Sequence, residues 1–415
     1  MLLRDMTRGQ RVAGAIFVLL LLASTLPSVY IADGRRNLHV LQAKAFLEGR
    51  LDIEKSDVFP YDISFLGGRR YVAFPPAPAA LLLPFVAVFG AEATNTPLIA
   101  LALTALSIML LHAILRKLAV PERLHLWVVA GFVLGTAYWY GLARSRDVWF
   151  FSQVVAVAFQ LLAIHEALGK RRAWLAGLYL GIAVLSRQLS IFTALLVAVA
   201  LLEEEIKERR PITTYIPKLV GMGVSLAACV GILMILNHLR FGSPFDNGYS
   251  YMFLHGYLGE RGRHGWFSGA FVPFNLVYLL VQGFHVDFDS VDKLRNMVAD
   301  PFGMGILAAS PFVLLALYAD HRHRLVRAAW VVIALTVSVQ LLYLTNGNVQ
   351  INAQRYTLDF WPVMTILIAM GLSNRAEDNE ERLWIGATVF AVGLNAFTMG
   401  LRLLNPLLDR YVGLF

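Results

Sequence analysis

The sequence predicts an all-α polytopic membrane protein of about eleven transmembrane helices, and three observations predict it. The 415 residues are 58% hydrophobic and 15% charged, where a soluble domain carries about a quarter charged residues. Apolar runs near the roughly 20 residues needed to cross a bilayer recur along the chain. Arginine and lysine gather at alternate ends of those runs, as basic residues do on cytoplasmic loops. The mean hydropathy is +0.61. The formal net charge of +8 follows from basic helix ends and needs no nucleic-acid partner. The single cysteine, Cys229, excludes an intramolecular disulfide framework and reads as inert apolar filler.

The first span, 12–31, follows Arg4, Arg8 and Arg11, which sets the N-terminus in the cytoplasm. It is long enough to cross and no small-residue cleavage site follows, so no cleavable signal is expected. Residues 32–95 form a first outer loop with a helix over 40–47 and an apolar segment, 77–90, that opens with prolines. The next run, 96–115, ends in Arg116 and Lys117, so it starts outside. Segment 77–90 is therefore expected to lie at the outer interface or to re-enter, not to cross. Span 124–142 goes out, 143–147 is a short outer loop, and 148–168 returns to Lys170, Arg171 and Arg172.

The run 173–202 is too long for one span. Ser186-Arg187-Gln188 breaks it into two short membrane helices, with Arg187 near the outer turn. Span 216–237 leads to a long outer loop, 238–301, whose apolar stretch 269–283 is expected to be interfacial or to cover the site. Spans 302–318, 328–345, 356–372 and 383–401 complete the alternation and leave the C-terminus outside. His321-Arg322-His323-Arg324 sets topology, and Tyr138-Trp139-Tyr140 with Trp149-Phe150-Phe151 marks an interfacial belt. There is no phosphate-binding glycine loop, dinucleotide fingerprint or zinc-ligand spacing, and no internal repeat. One transmembrane domain over 1–415 is expected.

A carboxylate at a bilayer edge is costly unless paired or solvated, and marks a functional site by default. Asp33, just past the first span, is the candidate catalytic base; the alternative is a loop cap or a pair with Arg35 or Arg36. Asp147 shares the short outer loop with Arg144 and Arg146. It is placed to orient an acceptor, act as a second acid or hold a metal, or else to form a local salt bridge. His39, on the loop helix, lines an acceptor pocket or plays a structural part; Arg144 and Tyr356 join that acceptor set. His255, His264, His285, Asp287 and Asp289 match no metal-site spacing and read as a covering loop.

Asp33-Gly34, the helix after it, Glu48-Gly49-Arg50-Leu51-Asp52 and Phe74-Pro75-Pro76-Ala77-Pro78 resemble the opening of GT-C fold integral-membrane glycosyltransferases. These include the protein O-mannosyltransferases and the aminoarabinose transferase of lipid A. Leu185-Ser186-Arg187-Gln188, the stretch from Asn237 through Arg240 to Tyr249, and Arg355-Tyr356-Thr357-Leu358-Asp359-Phe360-Trp361-Pro362 extend the resemblance over most of the chain. Some members carry an Asp-Glu pair where Gly34 follows Asp33 here. The chain is expected to be a small bacterial member without the C-terminal soluble domain of other branches.

The resemblance implies inverting transfer of a sugar from a polyprenyl-phosphate donor to a lipid, polysaccharide or protein acceptor at the outer face of the inner or plasma membrane. Asp33 would take the acceptor proton. Arg187, Arg240 and Arg355 would hold the leaving phosphate with planar, permanently charged forks. Alternatives are snorkelling for Arg187, a helix end for Arg240, and for Arg355 a pair with Asp359. No cofactor is expected, and a divalent cation is left open. A transporter or flippase would want midplane charges and a repeat, whereas these acids gather at outer helix ends. A polymerase or ligase taking a pyrophosphate-linked donor and a non-catalytic assembly subunit are the other readings.

Overall fold

The computed structural model describes residues 7–54, 62–254, 256–287, 298–347, 350–374 and 378–412. Its first half runs α1 (Arg8–Tyr30), α2 (Leu38–Leu47), β1 (Ile63–Leu66), β2 (Arg69–Val72), α3 (Ala77–Ala93), α4 (Thr96–Lys117), α5 (Glu122–Leu134), α6 (Ala137–Ala143), α7 (Val148–Ala167), α8 (Ala173–Val184), α9 (Thr193–Leu201), α10 (Glu203–Lys207) and α11 (Ile216–Phe241). The second half runs α12 (Gly256–Gly262), α13 (Val272–Leu280), β3 (Val286–Asp287), β4 (Val298–Ala299), β5 (Phe302–Met304), α14 (Ile306–Ala309), α15 (Arg324–Leu342), β6 (Gln350–Ala353), α16 (Trp361–Asn374) and α17 (Asp378–Val412). Among the described residues the strands pair as two-stranded ribbons. This is an all-α, multi-pass membrane protein.

Among the described residues, six helices are long and apolar enough to cross a membrane, and a seventh span arises if α5 and α6, bent by 59°, count together. Five shorter apolar helices of 10–17 residues accompany them. The expected count of about eleven full spans is not confirmed, because breaks shorten several of the runs to helices of 10–17 residues. The break at Ser186–Gln188 falls as expected, between α8 and a 3-10 turn over Gln188–Phe192. The expected span 302–318 is absent. Those residues form β5, one turn of α14 and a 3-10 helix over Pro311–Tyr318, since glycines at 303 and 305 and a proline at 311 interrupt the run.

The chain divides into two compact units. One comprises Met1–Ser24, Leu115–Gly141 and His264–Phe415. Its core is the buried face of α16, where Trp361 meets Phe312 with ring centroids 5.8 Å apart. Gly371 lets α16 approach the 3-10 helix closely: a Cβ there would stand 2.1 Å from the Leu315 carbonyl oxygen.

The other unit comprises Thr25–Ile114 and Leu142–Arg263. Helix α7 is its centre, buried on nearly every face, with α8 packed between α7 and α11. Small residues permit that approach. A Cβ on Gly177 would lie 2.2 Å from the Met222 carbonyl oxygen, and one on Gly181 would lie 2.4 Å from the Cys229 sulfur. Cys229 is the buried filler that its setting in an apolar run predicts. The β1–β2 hairpin and α2 cap this unit, sharing a core of Leu38, Ala45, Ile53, Ile63, Val72 and Val148.

Candidate active site

Asp33 follows α1 directly and caps a 3-10 turn over Gly34–Arg36, its carboxylate accepting from the Arg35 backbone N–H at 3.0 Å. The Arg35 side chain grips the same carboxylate with Nε and Nη2, each at 3.0 Å, and its Nη2 also lies 3.1 Å from Glu92. The pairing alternative is thus realised in this conformation. Arg35 holds the Asp33 carboxyl below the usual carboxylate range, so Asp33 is an anion at neutral pH. It remains 31% exposed.

Gly34 explains why no second acid follows Asp33. A Cβ at this position would lie 2.1 Å from the Ala91 carbonyl oxygen and 2.6 Å from that of Thr94. The Asp33 turn is pressed against the end of α3, and only glycine fits. Two further hydrogen bonds fix the same corner. Asn95 Nδ2 donates to the Val29 carbonyl at 2.9 Å, and Ser28 Oγ donates to that of Ala143 at 2.6 Å. The second ties the end of α1 to the loop that carries Arg144, Arg146 and Asp147. Neither Ser28 nor Asn95 stood out in the sequence; each is a lone polar residue beside an apolar run.

Asp147 precedes α7 and receives Arg144 Nε at 2.7 Å, with Arg144 Nη2 on the same oxygen. The Arg144 guanidinium also lies 5.8 Å from the Phe150 ring centroid. This is the local salt bridge weighed as the alternative for Asp147. Among the described residues no three His, Cys, Asp or Glu side chains come together as a metal-ligand set.

His39 is fully buried and does not line an open pocket. Asn37 caps α2 by accepting from the His39 N–H at 2.9 Å. The imidazole Nε2 lies 2.7 Å from Ser152 Oγ, which itself donates to the Val148 carbonyl at 2.9 Å. Ser152 is therefore the acceptor, and Nε2 carries the proton. Nδ1 must then accept, so the Gln42 amide, 3.3 Å away, presents its NH₂ once its interchangeable ends are assigned from the network. Burial pushes the His39 pKa down to about 4, so the ring stays neutral and ties α2 to α7.

The strap Val72–Ala77 joins the remaining parts of this unit's site. Its Phe74 ring stands edge-on to His39 and to Tyr249. Ala77 N–H donates to the Leu185 carbonyl at 2.9 Å, which draws the α8 break, and half-buried Arg187 with it, to the strap. At the strap's other end Arg240 Nη1 donates to the Val72 carbonyl at 2.6 Å. Arg240 is 4% exposed. Its other bonds go to the Leu236 carbonyl at 3.1 Å and Asn237 Oδ1 at 2.9 Å. All three partners are neutral.

Arg355 and Tyr356 belong to the other unit. Arg355 donates Nε to the Gly347 carbonyl and lies 5.2 Å from the Tyr356 ring centroid. Asp359 accepts from Gln340 Nε2 at 3.2 Å. Around them sits a buried carboxamide knot that sequence reasoning missed. Asn346, Gln350 and Gln354 all donate to the Phe302 carbonyl, at 3.1, 2.9 and 2.5 Å. Asn352 is fully buried, and among the described residues neither of its side-chain polar atoms finds a hydrogen-bond partner. The signal was present as the dense Asn/Gln spacing of 346–354. In the long loop, His285 Nε2 lies 3.5 Å from Asp300, and His264 stands edge-on to Phe271. His255 and Asp289 lie outside the described residues, as does the side chain of Asp287.

No family model matches this chain, and no curated protein matches it. Among solved structures it is similar to ArnT from Cupriavidus metallidurans bound to undecaprenyl phosphate. The identity is 13% over 95% of this chain and 72% of that one, with a TM-score of 0.49. It is also similar to the archaeal oligosaccharyltransferase AglB from Archaeoglobus fulgidus, solved with an inhibitory peptide and a dolichol-phosphate. There the identity is 11% over 96% and 56% of the two chains, with a TM-score of 0.45. At these values the likeness carries no residue-to-residue correspondence.

Proposed function

We propose that the protein transfers a sugar from a polyprenyl-phosphate donor to an acceptor hydroxyl at the outer face of the plasma or inner membrane, with inversion. The observation that carries this reading is Arg240. A guanidinium removed from water is expensive unless an anion compensates it, and its hydrogen-bond partners are two carbonyls and an amide. Three bonds leave two of its five N–H donors for a ligand. A lipid-borne phosphate supplies the missing charge, and Arg187, drawn to the same strap, adds a second cation. Arg355 is the reserve phosphate ligand in the other unit.

In the proposed step the acceptor oxygen attacks the anomeric carbon while the bond from that carbon to the phosphate oxygen breaks. The hydroxyl proton passes to the Asp33 carboxylate, and the phosphate leaves with both bonding electrons onto Arg240 and Arg187. Arg35 has Glu92 as a second partner at 3.1 Å, so Asp33 can be released to the acceptor without stranding the guanidinium. Asp147 and Arg144 would border the acceptor. The proposed displacement uses no cofactor, and the acceptor is a lipid, polysaccharide or protein hydroxyl. The basic residues Arg8 and Arg11 ahead of the first span support a cytoplasmic N-terminus.

The test is direct binding of undecaprenyl phosphate to the purified protein. Arg240→Gln is expected to weaken it at least tenfold, about 1.4 kcal/mol. Unchanged affinity in this variant removes the phosphate from Arg240 and takes the reading's main support with it.

A further inference from the structure

Helix α3 does not end as a regular helix. Gly90 stands inside it at φ 76° and ψ 167°, a backbone region open almost only to glycine. A Cβ there would meet nothing within 4 Å, so the turn of the backbone, and not crowding, requires the glycine. The Thr94 hydroxyl donates to the Gly90 carbonyl at 2.7 Å and closes the turn. The two carbonyls that press on Gly34, those of Ala91 and Thr94, belong to this turned segment. Glu92 lies between them in the chain, and the kink delivers it to Arg35.

Arg35 is one cation between two carboxylates. Its Nη2 stands 3.0 Å from Asp33 Oδ2 and 3.1 Å from Glu92 Oε1, so a single NH₂ bridges the two acids. Nε completes a two-point hold on Asp33 at 3.0 Å. The Arg35 and Glu92 side chains are 53% and 73% exposed, so packing locks neither in place. Among the described residues, the charged groups that act on Arg35 are Asp33 and Glu92, and those that act on Asp33 are Arg35 and Arg36. An exposed ion pair adds little stability, and glycine costs more conformational entropy on folding than any other residue. Stability therefore does not account for a helix end turned at Gly90 to bring Glu92 to this place.

We infer that Glu92 is a positioning residue for the base, the carboxylate that takes Arg35 over as the acceptor proton arrives on Asp33. The inference rests on the transfer reading above. In the resting arrangement Arg35 engages both Asp33 oxygens, and one of them must come free to receive the hydroxyl proton. Once protonated, Asp33 is neutral and no longer attracts the guanidinium. Glu92, already on the same nitrogen, then balances its charge. Sharing the guanidinium also makes Asp33 the stronger base, since an arginine held partly elsewhere stabilises the Asp33 anion less.

The test uses the polyprenyl-monophosphate sugar recovered from membranes of an Asp33→Asn strain. Its conversion to free polyprenyl monophosphate is followed with the full chain in membranes that carry the acceptor. Glu92→Gln, on an exposed side chain, is expected to lower kcat several-fold with KM for the sugar lipid unchanged. Glu92→Asp should restore most of the rate. In an Arg35→Gln background Glu92→Gln should have no further effect, because no guanidinium remains to be taken over, whereas a structural role for Glu92 would persist there. A wild-type rate in Glu92→Gln with Asp33→Asn inactive, or an equal fall in both backgrounds, overturns the role of Glu92 and leaves the transfer reading standing. Absence of any sugar lipid from the Asp33→Asn membranes overturns the transfer reading and this inference with it.

Discussion

Three neighbouring residues carry different kinds of constraint, and each makes its own prediction. Asp33 is anionic, partly exposed and paired with an exposed partner, Arg35. Asp33→Asn is expected to abolish transfer while undecaprenyl phosphate binding persists; an active Asn variant would remove Asp33 as the base. Gly34 is fixed by a carbonyl that leaves no room for a Cβ. Gly34→Ala should cost about 1–3 kcal/mol by overpacking and shift the Asp33 turn, read as a lower Tm together with lost activity. His39 is neutral because burial lowers its pKa to about 4, against about 6.5 in the unfolded chain. Between those values the unfolded state binds the extra proton, so stability is complete above about pH 6.5 and declines toward pH 4. The decline is expected in thermal unfolding of the wild type and should flatten in His39→Gln. An identical acid limb in both proteins would show that His39 is not the group responsible.

At the scale of elements, what the sequence displayed was whatever chain-local chemistry controls. The α8 break was legible because Ser186-Arg187-Gln188 interrupts an apolar run, and the loop helix was legible over 40–47, whereas its start at Leu38 and its Asn37 cap emerge only from the structure. The failure at 302–318 has the same origin seen from the other side. Hydropathy averages over Gly303, Gly305 and Pro311, whereas the backbone responds to each one. Pairings such as Ser28 with Ala143, or Arg240 with Val72, join residues too far apart in sequence for any local pattern to reveal. The Asn/Gln stretch 346–354 was visible as composition, but its convergence on the Phe302 carbonyl requires the parallel pairing of β5 with β6. Asn352 tests that knot. A buried amide with no partner costs about 1–3 kcal/mol, so Asn352→Leu should leave the Tm unchanged or raise it. A marked loss of stability would mean that an ordered water or ligand occupies the amide in solution.

The whole molecule distributes its charges in a way that separates surface chemistry from transport. A transporter places ionisable groups near the midplane, on broken helices related by a repeat. Here Asp33 and Asp147 stand at helix ends on segments joined through Ser28, while the buried cation Arg240 sits at the end of α11 beside a strap of loop. That arrangement suits a ligand whose tail stays in the bilayer and whose phosphate reaches a helix terminus. If so, a variant that binds donor but lacks the base should trap it. Asp33→Asn purified from its native membrane is expected to carry a polyprenyl-monophosphate sugar, detected by lipid mass spectrometry, at a higher occupancy than the wild type. Arg240→Gln in the same background should empty it. Recovery of an unmodified solute or sugar-free phospholipid at that site in both proteins would point to transport, and would make Asp33 a gating residue whose pairing with Arg35 is the closed state.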